Sequence, residues 1–335
     1  MRSLSFVFIS LVFFACNPSN NKPDVSGIDV SFTISRFEQD FFKIDSNNLA
    51  QGLTIVHKKY PNFFPFYIQQ ILRLPDAGPS SFPVIKSILS GYHGINDSIQ
   101  KKYKDLDWLK ADLTTGFKYT KYYYPNYKIP NLITFIGSFD APGVVLTPNY
   151  LGIGLHQFAG KDFSVYKDPQ LAEVYPDYIS RRFDKEYITP NCMKAVVDDI
   201  YPDSSVGRPL IEQMILKGKQ WYLLDHLLPD TEDSLKTGFT AKQLDWVNRN
   251  EGNIWGYITT NTDIYTIDPS IIQDYIGEGP FTRGMPEGAS PGNIGQWVGW
   301  QIVKKFADKN ADLSVQQVMA TSATNIFQMA KYKPK

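Results

Sequence analysis

The hydrophobic period of the chain changes in its middle, and this change limits the fold more than any other feature. Residues 131–139 (NLITFIGSF), 143–147 (GVVLT) and 149–158 (NYLGIGLHQF) are β-rich, whereas apolar residues before and after them recur at helical spacing. Asp140-Ala141-Pro142 separates the first two segments and suits a hairpin. Strands inside an otherwise helical chain indicate an α+β fold. We therefore predict one mostly helical domain around a small, mostly antiparallel sheet.

Start and stop residues delimit several of the helices. Residues 41–60 form a candidate helix that Pro61 ends, and residues 209–217 have a Pro start with Gly218 as the stop. Residues 240–243 (TAKQ) form a capping box, which predicts a helix that presents apolar residues from Leu244 to Ile258 on one face.

A glycine stripe marks the last long helix. Ser290-Pro291 predicts its start, and Gly292, Gly295 and Gly299 lie beside its apolar face. Each glycine inside a helix costs about 1 kcal/mol. We expect close packing of another helix or strand against this stripe to offset that cost.

The N-terminus reads MRSLSFVFISLVFFAC. One basic residue, an apolar run about half as long as a membrane span, and Ala15 before Cys16 are typical of a lipoprotein signal. We predict a signal peptide over residues 1–15 and lipid on Cys16. A plain signal peptide that ends near a cysteine is the alternative, because Phe13 stands where lipoprotein signals usually carry Leu.

Residues 16–27 are polar and aperiodic after the cysteine, so we predict a tether, followed by a single domain over residues 28–335. The formal charge of the chain is zero, which gives no long-range attraction for nucleic acid. With Cys16 acylated, Cys192 is the one remaining thiol, so a disulfide within a monomer is excluded.

No familiar catalytic motif occurs in the sequence. None of the four histidines lies in H-E-x-x-H, and the nucleophile-elbow, P-loop and dinucleotide motifs are missing. His156 with Asp162 is a weak metal candidate, and carboxylates such as Asp198, Asp199 and Glu251 could form a glycosidase pair. We therefore predict no catalytic residues, no metal ligands and no cofactor.

A set of ordered segments resembles the gliding motility lipoprotein GldB family of the Bacteroidetes. The family resemblance rests on ISRFEQDFF (34–42), KYPNFFPFYIQQIL (59–72), FKYTKYYYP (117–125), YLGIGLHQFAGKD (150–162), MILKGKQWYLLDHLLPD (214–230), FTAKQLDWVNRNEGNIW (239–255) and GPFTRGMPEGASPGNIGQWVGWQIVKKF (279–306). It implies an acylated protein required for gliding and for the associated secretion machinery, without an agreed catalytic activity. Only Asp24 is acidic between Cys16 and Asp29, so we expect a lipid-anchored, periplasm-facing protein of the cell envelope.

The order of elements is also similar, more distantly, to zincin metallopeptidases. That resemblance implies a zincin-like domain in which a helix after the edge strand would carry H-E-x-x-H. We place this helix at residues 176–190, which contain no histidine but hold Arg181, Arg182, Lys185 and Glu186. Arginine cannot ligate zinc, so the metal site would be degenerate.

Two functions of different class follow from these observations. The favoured one is a non-enzymatic, membrane-anchored protein that binds a protein partner through Arg181, Arg182, Lys185, Glu186 and His156. The alternative is a periplasmic or surface hydrolase, with a metal site around His156 and Glu186 or with a carboxylate pair that acts on peptides or glycans. The two arginines could also make only structural ion pairs.

Overall fold

Four short strands form a mixed sheet at the centre of the fold. The computed structural model describes residues 22–169, 171 and 173–335, so the predicted signal peptide and Cys16 lie outside the described residues. The strands are β1 (Ile34–Arg36), β2 (Asn131–Phe135), β3 (Val144–Leu146) and β4 (Tyr150–Gly154). Their order in the sheet is β1-β2-β4-β3.

The prediction of a mostly antiparallel sheet is wrong. β1 pairs with β2 and β2 pairs with β4 in parallel, and only β3 and β4 are antiparallel. The expected hairpin between the first two segments does not form, because β4 lies between β2 and β3. The true hairpin joins β3 to β4, with Leu146 opposite Leu151.

Helices cover both faces of this sheet, which explains why its central strands are almost continuously apolar. Leu132 of β2 and Leu151 of β4 face the larger core cluster. Ile133 and Phe135 of β2 face a smaller cluster, formed with the helices of the N-terminal third. The predicted α+β class with a small sheet is therefore confirmed in its coarse form.

Six helices lie between β1 and β2; the buried apolar residues of the first four belong to the smaller core cluster and those of the last two to the larger one. The six helices are α1 (Phe37–Phe41), α2 (Leu49–Lys59), α3 (Phe64–Phe66), which continues as a π turn over Tyr67–Ile71, α4 (Phe82–Gly91), α5 (His93–Lys102) and α6 (Asp107–Tyr123). The predicted helix over 41–60 is thus α2 alone.

After the sheet, the described residues form ten further helices, most of which contribute to the larger core. They are α7 (Asp177–Ser180), α8 (Ile188–Ile200), α9 (Leu210–Leu227), α10 (Asp233–Thr237), α11 (Ala241–Arg249), α12 (Glu251–Asn261), α13 (Pro269–Ile276), α14 (Ile294–Lys309), α15 (Val315–Ala320) and α16 (Ala323–Ala330). The Thr240 capping box is present at the start of α11, but the helix predicted to continue to Ile258 is divided at Asn250 into α11 and α12.

The single helix predicted over residues 176–190 does not exist. Pro176 does precede a helix, but α7 ends at Ser180, and a 3₁₀ turn over Lys185–Tyr187 then leads into α8. The Asp184 side chain accepts a hydrogen bond from the Lys185 backbone N–H at 2.9 Å, which fixes a new turn there. The helix that packs beside β3 is therefore α8.

Glycines bring α9 and α14 into backbone contact, as the glycine stripe predicts. A Cβ on Gly299 would lie 1.7 Å from the Met214 carbonyl oxygen. α14 begins at Ile294 and not at the predicted Ser290-Pro291, so Gly292 lies before the helix, where a Cβ would lie 2.3 Å from the Gly279 oxygen. Gly218 does not end its helix as expected. It lies inside α9, at the point where this helix meets Gly299.

The last part of the predicted tether packs against the domain. Val25 is buried in the larger core cluster, and the Lys22 ammonium lies 2.5 Å from an Asp230 carboxylate oxygen. The chain therefore joins the folded body before residue 28.

Candidate functional site

A cleft of about 510 Å³ opens between α8, α9 and the edge strand β3, and we call it the α8–α9 cleft. Its lining is rich in amide and charged groups around a few aromatic and aliphatic side chains. It comprises Gly143, Val144, Gln157, Phe158, Asn191, Lys194, Ala195, Val197, Asp198, Gln220, Trp221, Leu224, Thr237, Glu278, Asn293 and Gln296.

One stripe of α8 supplies the polar wall of the cleft. Asn191, Lys194 and Asp198 follow one another at helical spacing, so their side chains share a face. The opposite face carries Cys192, which is fully buried in the core. Burial raises the pKa of the Cys192 thiol, so this cysteine is a core residue and not a reactive one.

Lys194 is the unsatisfied charge of the cleft. Its ammonium makes no hydrogen bond or ion pair with any residue that the structure describes. Burial, and next the nearby Arg182, lower the pKa of Lys194 to about 8, while Glu278 acts in the opposite direction. The side chain is thus mainly protonated at neutral pH and lacks a counter-charge in contact.

The carboxylates of the cleft, in contrast, already have partners. Asp198 accepts a hydrogen bond from the Gln220 side chain at 3.1 Å. Glu278 accepts two from the Arg182 guanidinium, at 3.3 and 3.1 Å, and one from the Asn293 side chain at 3.3 Å. An anionic group that enters the cleft would therefore find Lys194 as its free cation.

Two of the predicted binding residues lie at the rim of the cleft, in the turn after α7. Arg182 forms an ion pair with Glu278, which lines the cleft, and 19% of the Arg182 side chain is exposed. Arg181 is partly buried and donates a hydrogen bond to the Gly238 carbonyl oxygen at 2.7 Å. Both arginines thus tie this turn to other parts of the domain.

Lys185 and Glu186 do not line the cleft, although both are exposed. The Lys185 ammonium lies 4.2 Å from the centre of the Trp108 ring, which is a cation–π contact. The structure therefore separates these two residues from the arginines with which they were grouped.

His156 lies under the cleft instead of inside it. Its side chain is fully buried, Nδ1 accepts a hydrogen bond from the Gly137 N–H at 3.1 Å, and Nε2 lies 3.3 Å from the Ala141 oxygen. Burial lowers the pKa of His156 to about 4, so the imidazole is neutral. It holds the loop between β2 and β3, and Gln157, which lines the cleft, follows it directly.

The other candidate groups are dispersed. Glu251 accepts a hydrogen bond from the Tyr332 hydroxyl at 2.7 Å, in a different depression from Asp198, so the two do not face each other. Asp162 is exposed and lies 3.5 Å from the Lys167 ammonium. Within residues 22–169, 171 and 173–335, no three His, Cys, Asp or Glu side chains come together closely enough to hold a metal ion.

Sequence reasoning missed Lys194, Asn191 and the polar stripe of α8. The apolar positions of α8 do show which side of the helix is polar. A lysine on that side, however, normally extends into solvent. Only the positions of β3 and α9 make this side the wall of a cleft.

One comparison with known proteins, that with family models, agrees with the resemblance found in the sequence. No helix in the described part of the chain is long and apolar enough to cross a membrane. Searches of curated proteins and of solved structures returned no match. The family described as gliding motility protein GldB matches residues 18–334, which include almost every residue described above. The chain therefore belongs to the GldB family of gliding motility proteins.

Proposed function

We propose that this protein is a lipid-anchored component of the gliding motility and associated secretion machinery, and that it acts by binding a protein partner instead of by catalysis. The lipid is attached to Cys16, and the domain faces the periplasm. Family membership supports the role in gliding. The anchor follows from the N-terminal sequence, in which Cys16 ends a short signal.

The observation that carries the binding role is the unpaired Lys194 ammonium inside the α8–α9 cleft. A partly buried charge without a partner costs stability. A protein that keeps such a group in an open cleft uses it for a ligand.

The distant zincin resemblance belongs to this proposal as well. The antiparallel edge strand β3 lies beside α8, as the edge strand and active-site helix of such a fold would. The cleft face of α8 carries Asn191, Lys194 and Asp198 in place of paired imidazoles. We infer a zincin-like scaffold whose cleft serves for binding.

Charge reversal in the cleft tests the proposal. Lys194→Glu should abolish gliding in cells, because it replaces the free cation by an anion. Lys110→Glu makes the same charge change at an exposed lysine of α6 outside the cleft and serves as the matched control. Both variants should reach the membrane fraction in normal amounts. Normal gliding with Lys194→Glu would exclude the α8–α9 cleft as the functional surface.

A further inference from the structure

The polar groups of the α8–α9 cleft also indicate what kind of ligand it accepts. We propose that the cleft binds an extended acidic segment of a partner polypeptide, which pairs with the outer edge of β3 and places one carboxylate on Lys194. This inference rests on the proposed function and specifies the chemistry of the partner.

The outer edge of β3 is open along the cleft. β3 is the last strand of the sheet, and the Gly143 oxygen and the Thr147 N–H bond towards β4, each at 2.8 Å. Because hydrogen-bonding directions alternate along an antiparallel strand, the N–H and C=O groups of Val144 and Leu146 point outward. No hydrogen bond joins these outward groups to another described residue.

An exposed strand edge of this kind is a template for one more strand. Val144 lines the cleft together with Lys194, so a strand added here would pass beside the ammonium. An acidic side chain on the strand would then complete a charge-assisted hydrogen bond.

A polypeptide fits the cleft better than a sugar does. Sugar hydroxyls need free side-chain donors and acceptors, but most side-chain amide nitrogens of the cleft already donate hydrogen bonds within the protein. Gln157 donates to the Ala141 oxygen at 2.8 Å and Gln296 donates to the Ile276 oxygen at 2.7 Å. Gln220 already donates to Asp198. The free groups of β3, by contrast, alternate between donors and acceptors as a peptide backbone does.

A carboxylate also fits better than a phosphate. The second cation near the cleft, Arg182, is already paired with Glu278. A single ammonium balances the one charge of a carboxylate, whereas phosphate sites usually combine several cations or backbone N–H groups.

A peptide array provides the test. The full chain, purified from membranes in detergent, is applied to a positional-scanning array of N-acetylated octapeptide amides. We expect a requirement for Asp or Glu at one position. Lys194→Gln should weaken binding of the selected peptide about tenfold and remove this requirement, whereas Lys110→Gln, at an exposed lysine of α6 outside the cleft, should leave both unchanged. Thermal unfolding of both variants controls for folding.

N-methylated peptides test separately whether the peptide backbone pairs with β3. A series of the selected peptide with a single N-methyl group at each position in turn should lose binding at every second residue, since alternate N–H groups face β3. Equal loss at all positions, or at none, would refute the added strand.

Failure of this inference can be told apart from failure of the proposed function. Capture of no peptide, or an acidic preference that survives in Lys194→Gln, overturns the acidic-peptide ligand. Binding of soluble peptidoglycan fragments in place of peptides overturns it as well. If Lys194→Glu still abolishes gliding in these cases, the cleft remains the functional surface and only the ligand class is wrong.

Discussion

Gly218 of α9 and Gly299 of α14 touch through their backbones, since a Cβ on Gly218 would lie 2.2 Å from the Gly299 carbonyl carbon. Backbone atoms cannot give way as a flexible side chain can. A methyl group at either position must therefore separate two helices that carry much of the larger core.

We expect Gly299→Ala to lower the free energy of unfolding by several kcal/mol, in the range of overpacked core substitutions, or to prevent folding. Gly256→Ala is the matched control, because Gly256 is exposed inside α12 and a Cβ there meets nothing within 4 Å. That control should stabilise the protein by up to about 1 kcal/mol. Urea unfolding measures both, and equal stability of the two variants would contradict the packing.

His156 should make the fold sensitive to acid. Its pKa is lowered to about 4 from 6.5, so between these values the unfolded chain binds a proton that the folded chain does not. Stability due to His156 is present above pH 6.5 and is lost as the pH falls to 4, by about 3 kcal/mol. Burial lowers the pKa of His226 too, and this histidine adds a loss of the same sign.

Unfolding free energies measured from pH 7 to pH 4 check this expectation. His156→Asn should reduce the slope in that window, although it also lowers the stability at neutral pH. His93→Asn, at a side chain that is 70% exposed, is the comparison variant for loss of a histidine outside the core. An unchanged slope in the His156 variant would count against the prediction.

Lys194 should react early with amine reagents. Its pKa of about 8 leaves a larger fraction of free amine near neutral pH than an ordinary lysine has, and the cleft is open. Lys219 is the internal control, because its pKa is also about 8 but the residue is only 2% exposed and donates to the Tyr201 hydroxyl and the Thr321 oxygen.

Brief acetylation at pH 7.5, followed by peptide mass mapping, distinguishes the two lysines. Lys194 should be modified among the first lysines and Lys219 among the last. Equal resistance of both would mean that the cleft is closed to small molecules.

Replacement of Arg181 and replacement of Arg182 should lower the stability of the protein by different amounts. Arg182→Glu breaks an ion pair with the half-exposed Glu278 that is worth up to about 1 kcal/mol, and combining it with Glu278→Arg should restore most of that stability. Arg181→Glu should cost more, because it removes a partly buried donor from the Gly238 oxygen. Melting temperatures of the three variants decide this point, and no recovery in the charge swap would argue against the pair.

Cys16→Ser should release the protein from the membrane fraction. The two or three acyl chains of a lipoprotein cysteine hold firmly, whereas a single chain binds only marginally. Cell fractionation and gel mobility provide the measurement, with Cys192→Ser as a thiol control that should stay at the membrane. Unchanged fractionation of Cys16→Ser would exclude the lipid anchor.

Local pattern was enough to predict β2, β3, β4 and the glycine contact, because these depend on which residues neighbour each other in the chain. The three-residue strand β1 was not predicted, since it lies in a part of the chain whose apolar residues recur at helical spacing. Strand pairing was not predictable in this way. A strand such as β2, buried on both faces, has the same apolar run whether its neighbours are parallel or antiparallel. The proximity of β2 and β3 in sequence suggested a hairpin, and the insertion of β4 between them depends on tertiary packing.

The candidate site was harder to predict than the fold. Arg181 and Arg182 attract attention as adjacent cations, yet contacts with Gly238 and Glu278, far away in sequence, satisfy them. Lys194 does not stand out in the sequence, yet its ammonium is the unpaired cation of the α8–α9 cleft. Whether a charge is satisfied depends on long-range neighbours, which a single sequence does not reveal.

The burial of Val25 limits how far the domain can stand from a membrane. With lipid on Cys16, nine residue steps (25 − 16) separate the anchor from a side chain fixed in the core. At ~3.5 Å per step the chain spans at most about 30 Å, which is less than the roughly 50 Å width of a domain of this size. If Cys16 carries the lipid, the domain stays within about one domain width of its own bilayer, and a partner has to approach that close to the membrane to bind it.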